Sequence, residues 1–179
     1  ILNKNGITPT VKSTTRIILD GGRLASNYFF TSFQENDSIL WFGNRGYGAH
    51  RLNLETGKFT PYKFDNIVNS QMTNDIFAIY KNENGYWFAT SSGLLHFNQE
   101  DSQHHNKVEL LSKNTAHGIL EDQQNNIWIS TNQGLVRFNP KTHTSQTYDR
   151  KNGLEVTEFS DGAFYKDIPT ETLFFGGTN

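Results

Sequence analysis

The three tryptophans of this chain all open the same kind of segment: "WFGNRGYGAHRLN" at Trp41, "WFATSSGLLHFN" at Trp87 and "WISTNQGLVRFN" at Trp128. They stand 46 and 41 residues apart (87 minus 41, 128 minus 87), and a further 46 residues on, Phe174 takes the Trp position in "LFFGGTN". A period of about 40 to 50 residues marks an array of small supersecondary units, each unable to bury its apolar face alone, so that neighbours must stack. That constraint outranks every other reading of the sequence.

The copies agree beyond Trp. Two residues later the side chain is always small (Gly43, Ala89, Ser130, Gly176), as suits a strand residue that shares a face with the indole. A glycine then follows (Gly48, Gly93, Gly134) before a short strand ending in "RLN", "HFN" or "RFN". Upstream of each Trp lies a polar turn, "QENDS", "KNENG" or "DQQNN", and before it an apolar strand, "NYFFTSF", "DIFAIY" or "AHGILE". A fourth strand is read in "GKFTPYKF", "KVELLS" and "TSQTYD". No segment sustains helical periodicity.

Four short antiparallel strands per repeat, arrayed radially, make a β-propeller, so the expected class is all-β. The expected division is residues 1–27 as outer strands of a preceding blade, containing "TTRIILD", then blades at 28–65, 66–112 and 113–150, and the first strands of a final blade at 151–179. About four blades' worth of chain reads as a wedge of a larger propeller, or as a closed four-bladed ring sealed by joining its two half blades. The missing initial Met favours a piece of something longer. A sandwich or barrel leaves the Trp period unexplained.

Composition narrows the function classes. Of 179 residues, 16 Lys and Arg face 18 Asp and Glu, a balance that gives nucleic acid no bulk attraction, and no nucleic-acid partner is expected. With no cysteine there is neither disulfide nor thiolate chemistry. No apolar run approaches the roughly 20 residues that span a bilayer. No nucleophile elbow, phosphate loop or dinucleotide fingerprint occurs, and no cofactor is expected.

The blade from Ile119 to Phe159, "ILEDQQNNIWISTNQGLVRFNPKTHTSQTY" followed by "DRKNGLEVTEF", resembles the two-component regulator propeller repeat. The closing "GAFYKDIPTETLFFGGTN" is similar to the terminal blade of such sensors. The resemblance implies the periplasmic input region of an inner-membrane, Bacteroides-type hybrid sensor histidine kinase. It implies an oligosaccharide signal, a connector domain and neighbouring blades as partners, a homodimeric parent, and no catalysis in this segment, which lacks any kinase phospho-acceptor box. A glycan-active propeller enzyme and a protein-binding scaffold are the alternatives.

In a propeller, the loops after the second strand and before the first fall on one face. That face is expected to carry Arg45, Tyr47, Ser91, Ser92, Asn132 and Gln133 with Asn27, Asn74 and Asn114; within it Arg45, Tyr47, Asn27, Asn74, Asn114, Ser92 and Gln133 are the candidate ligand residues. Rings stack on sugar faces, and Asn, Gln and Arg supply paired donors and acceptors. The bland alternative is that Asn and Gly simply build turns. Trp41, Trp87, Trp128, Phe174, Gly48, Gly93 and Gly134 are read as architecture. Glu155, Glu158 and Asp161 could supply a glycosidase carboxylate pair but are expected in a solvated loop. His96, His104, His105 and His117 have poor metal spacing, and no metal site is expected. The turns "NENGYW" and "DQQNNIW" are similar to the Asp-box of sialidases, but no motif assigns the six arginines, Arg16, Arg23, Arg45, Arg51, Arg137 and Arg150, to a catalytic triad.

Overall fold

A computed structural model describes residues 28–65, 73–97, 114–156 and 158–178, and the backbone alone at 105–107. The first sheet runs β1 (Phe29–Asn36), β2 (Ile39–Asn44), β3 (Ala49–Asn53), β4 (Phe59–Tyr62). The second is β5 (Ile76–Asn82), β6 (Gly85–Thr90), β7 (Gly93–Phe97), β8 (His105–Lys107), and the third β9 (Ala116–Glu121), β10 (Ile127–Thr131), β11 (Gly134–Asn139), β12 (Thr144–Tyr148). The last pair is β13 (Glu158–Asp167) and β14 (Thr172–Thr178). Every sheet is an antiparallel meander in chain order. The first strands β1, β5, β9 and β13 pack side by side, and β13 also approaches β5 and β1, so they curl around one axis as the inner strands of propeller blades.

Two of the sequence expectations concern strand placement. Of the expected outer strand "KVELLS" only Lys107 is described, where β8 (His105–Lys107) pairs as the outer strand of the second blade; the rest lies outside the described residues. Glu158 and Asp161 lie in β13 rather than in a solvated loop, because β13 pairs with β14 from Glu158 onward. The expected strand "TTRIILD" falls outside the described residues.

The Trp period has a packing cause. Register puts Trp41 opposite Phe33, Trp87 opposite Tyr80, Trp128 opposite Leu120 and Phe174 opposite Tyr165, the same rung of each hairpin. On that rung the indole projects toward the next blade: Trp41 lies 4.6 Å from Tyr86 and Trp87 6.0 Å from Phe138, centroid to centroid. Two apolar cores result, one holding Trp41 with Ile76, Phe88 and Phe97, the other holding Trp87 with Ile119, Ile129 and Phe138. Exposure follows the order of blades, from 0% at Trp41 and 2% at Trp87 to 53% at Phe174, against which the described residues place no further blade. The small residue after Trp lets the next inner strand in: a Cβ on Gly43 would stand 2.6 Å from the Ile76 carbonyl oxygen. Gly134, at φ 119°, lies so close to the outer strand that a Cβ would meet the Tyr148 carbonyl at 2.2 Å, so the repeated glycine answers both a steric and a backbone demand.

Candidate functional site

Each Trp indole is anchored at the hairpin joining the first two strands. Nε1 of Trp41 donates to Glu35 Oε2 (2.8 Å), that of Trp87 to Asn82 Oδ1 (3.1 Å) and that of Trp128 to Asp122 Oδ2 (2.8 Å). Glu35 also receives Tyr86 Oη (2.8 Å) and Lys81 Nζ (2.6 Å) from the second blade. Burial alone would push the Glu35 carboxyl up, but donation from Lys81, Trp41 and Tyr86 outweighs it and holds the group below its ordinary range. Between the second and third blades, Glu121 accepts from Tyr80 Oη (2.6 Å) and Asn82 Nδ2 (2.8 Å), beside a cavity of about 290 Å³ lined by Tyr80, Asn82, Glu83, Glu121 and Asn125. Burial, then the Glu121 contact, pushes the Tyr80 phenol up. These carboxylates are joints between blades, and the sequence reading saw the acidic turn without seeing that it accepts the indole proton.

The opposite face carries the turns between second and third strands. Thr90 and Thr131 build theirs identically: each hydroxyl donates to the glycine carbonyl three residues on (2.7 and 2.9 Å) and accepts the amide two residues on (3.1 Å in both). Asn74 is 2% exposed and ties the incoming connection to the first blade, its Oδ1 accepting Phe64 N (2.9 Å), its Nδ2 donating to Asp65 (2.9 Å), its carbonyl accepting Gly48 N (2.9 Å). Ser92, 3% exposed, bonds Thr73 at 2.7 Å. Arg45, Asn132 and Gln133 are exposed on this face, Asn114 is half-buried, and Tyr47 is half-buried with Lys63 Nζ 5.5 Å from its ring. Asn27 lies outside the described residues. The face thus separates into fasteners, Asn74 and Ser92, and a solvent-facing set, Arg45, Tyr47 and Gln133.

Around the axis, at this same end, a row of side chains appears that the Trp period did not reveal. The ladder between first and second strands skips one residue in each complete blade: Phe30 between Phe29 and Thr31, Phe77 between Ile76 and Ala78, His117 between Ala116 and Gly118. In β13 the skip between Phe159 and Phe164 is longer and holds Asp161. A bulge re-aims a side chain, and these four meet in series. Phe30 lies 4.9 Å from Phe77 and Phe77 6.0 Å from His117, by ring centroids, and His117 Nδ1 stands 2.6 Å from Asp161 Oδ1. Tyr28 extends the row, 5.7 Å from Phe30.

The other weighed groups stay apart. His96 stacks on Trp87 at 4.2 Å and bonds the Asn84 carbonyl at 2.7 Å, away from His117. Arg51 faces Glu35 at 3.9 Å and Arg137 faces Asp122 at 3.6 Å, in different blades. Among the described residues no three His, Asp or Glu are grouped to hold a metal. Glu155 is exposed.

Residues 110–133 match the family model described as two component regulator propeller. No curated protein matches the chain in sequence. Among solved structures, the fold is similar to the extracellular domain of a hybrid two-component system, BT3049, from B. thetaiotaomicron, with TM-score 0.64 and 21% identity, covering 86% of this chain and 19% of that one. It is likewise similar to the extracellular domain of the hybrid two-component system BT4673 of the same organism (TM-score 0.68, 18% identity, 86% and 22% covered). A catalytically inactive virginiamycin B lyase from Staphylococcus aureus with quinupristin also matches (TM-score 0.59, 14% identity, 84% and 49% covered). The chain spans about a fifth of the length of the two extracellular domains.

Proposed function

Because this chain carries the two-component regulator propeller repeat in an array of propeller blades, we propose that it is a non-catalytic part of the periplasmic input region of an inner-membrane sensor histidine kinase, and that it recognises or relays a glycan-derived signal. The observation that carries the reading is the coincidence of two likenesses on the same strands. The family repeat covers residues 110–133, and the surrounding blades superpose on extracellular domains of hybrid two-component systems over 86% of the chain. Blades joined by half-buried carboxylates form a stack that can pass a rearrangement onward as a body, and in the parent that rearrangement changes how two protomers pack above the membrane.

The test has two arms. The purified protein is titrated with a panel of oligosaccharides while substrate and product are followed by chromatography, with binding and no turnover as the expected result. Turnover that survives purification and disappears in Glu155→Gln or Glu158→Gln would overturn the sensor reading in favour of a glycan-active enzyme. In the full sensor, disulfide crosslinks fixing the protomer arrangement are expected to abolish ligand-dependent phosphorylation; unchanged signalling would refute the transmission mechanism. A lyase is the second reading, favoured by the lyase likeness together with the histidine at the axis, His117, and turnover that is lost in His117→Ala would establish it.

A further inference from the structure

We propose that the bulge row, Phe30, Phe77, His117 and Asp161 with Tyr28 at its rim, is a subsite for a neutral saccharide at the end of the propeller axis; the inference rests on the glycan reading above and assigns it to residues. Four observations meet here. The one-residue skip recurs in the three complete blades, and the longer skip of β13 brings Asp161 against His117 at the end of the same row, so the architecture gathers one side chain from each blade in a single place. The identities along the row do not recur: phenylalanines at the bulges of the first two blades are followed by a histidine at the third, which meets an aspartate from β13. Where repeated architecture breaks its own pattern with a polar pair, packing alone is a poor account, and a site is the economical one.

Exposure gives the third observation. Tyr28 is 61% exposed at one end, Phe77 falls to 9% in the middle, and the Asp161 side chain is 43% exposed at the other end, beside His117 at 17%. The row thus has a buried apolar middle and two exposed ends, with its polar groups at one of them. Small-molecule sites have this composition, mostly apolar with a few convergent polar groups. Chemistry gives the fourth. In the tautomer that donates Nδ1–H to the Asp161 carboxylate, the neutral His117 ring presents Nε2 as an acceptor, and the second carboxylate oxygen accepts as well. Two acceptors beside aromatic faces suit a ring with an apolar C–H face and adjacent hydroxyl donors. Among the described residues Asp161 is paired with His117 and with no Lys or Arg, so the carboxylate repels a uronate or sulfate and selects an uncharged sugar.

The test uses the protein as it stands, with neutral xylo-, malto-, cello- and arabino-oligosaccharides and a parallel set of uronate-containing and sulfated oligosaccharides. Binding is read by calorimetry, and the imidazole nitrogens of His117 are followed by long-range ¹H–¹⁵N correlation. A neutral oligosaccharide is expected to bind and to move the His117 ring nitrogens. Affinity is expected to fall roughly ten-fold or more in His117→Phe, which keeps the ring packed against Phe77, and in Asp161→Asn, the loss of a hydrogen bond to a charged group. His117→Gln serves as the second variant should the Phe variant fold poorly. If a neutral sugar binds and all three variants keep its affinity while Arg45→Ala or Tyr47→Ala loses it, the bulge row is not the site although the glycan reading stands. If only charged saccharides bind, the assignment of a neutral ligand is overturned. If no saccharide of either set binds, the glycan reading falls and takes the subsite with it.

Discussion

Glu35 is the joint on which the first two blades turn, and its removal can be costed. Its Oε2 accepts from Trp41 Nε1 and Tyr86 Oη, both at 2.8 Å, while Oε1 takes Lys81 Nζ at 2.6 Å. Trp41 is fully buried and Tyr86 2% exposed, so deleting the carboxylate takes a charged acceptor away from two largely buried donors. Each buried donor left unsatisfied costs about 1–3 kcal/mol. The Lys81 pair adds little, because its side chain is 38% exposed and swings into solvent. Glu35→Ala should therefore destabilise by about 3–5 kcal/mol. Glu35→Gln keeps one oxygen for the two donors, replaces charge-assisted bonds by neutral ones of about half the strength, and should cost about 1–2 kcal/mol. At about 2–4 °C per kcal/mol for a chain of this size, melting temperatures should fall by about 10 °C and about 4 °C respectively, read by tryptophan fluorescence. The folded carboxyl is held below its ordinary value of 4.5, so it releases its proton more readily folded than unfolded. Its stabilisation is complete above that value and is lost as pH falls through the folded one. Wild type should lose stability faster than Glu35→Gln as pH is lowered from 5. An alanine variant melting within about 2 °C of wild type would refute the view that this carboxylate joins the blades.

Three further outcomes follow from single residues. His50 is 3% exposed between Phe59 (5.2 Å) and Phe29 (6.3 Å), and burial, then Lys63, lowers its pKa from 6.5 to about 4; the unfolded chain thus binds the extra proton between those values, stability should rise with pH across that window, and an NMR titration of His50 centred near 6.5 would contradict it. Gly118→Ala should lower stability by about 1–3 kcal/mol, because its Cβ would sit 2.5 Å from Phe164 Cδ1 and force the last blade off the third; an unchanged melting temperature would show that this contact is soft. Trp41→Ala should cost about 3–5 kcal/mol while Phe174→Ala, at the exposed equivalent rung, should stay within about 0.5 kcal/mol, and equal losses at the two would break the account of exposure along the array.

The strands and their order were legible because one residue type marks one rung. Trp41, Trp87 and Trp128 each need a small residue two positions on, a glycine at the next turn and an apolar first strand behind them, so three coincident patterns mark the hairpin register in the sequence itself. The outer strand was less legible. β8, at His105–Lys107, carries no residue type that recurs at a fixed distance from Trp. On the loop face, Asn74 and Ser92 have the composition of ligand donors, yet nothing in the sequence says that Phe64 N, Asp65 and Thr73 already occupy them. Short polar side chains near turns bond locally first.

The axis row was hidden for a different reason, and the reason bears on what the row is for. Phe30, Phe77, His117 and Asp161 stand 11, 10, 11 and 13 residues before their Trp or Phe (41 minus 30, 87 minus 77, 128 minus 117, 174 minus 161). A search by residue identity passes over them because the four differ, and a search by alternation fails because a bulge breaks the alternation at that very point. The offset from Trp is the signal that could have found them. The fold separates framework from variable chemistry: Trp, glycine and the half-buried carboxylates hold each blade to the next, while the bulge row carries different residues from blade to blade, Phe77 packed between its neighbours and His117 and Asp161 more open. His117 and Asp161 come together only because consecutive inner strands bring their bulges to one end of the axis. Exchanging the two residues, as His117→Asp with Asp161→His, should therefore preserve melting while reversing the order of polar groups seen by a ligand. Retained affinity for the same saccharide in that exchange would argue that the pair acts in packing rather than recognition.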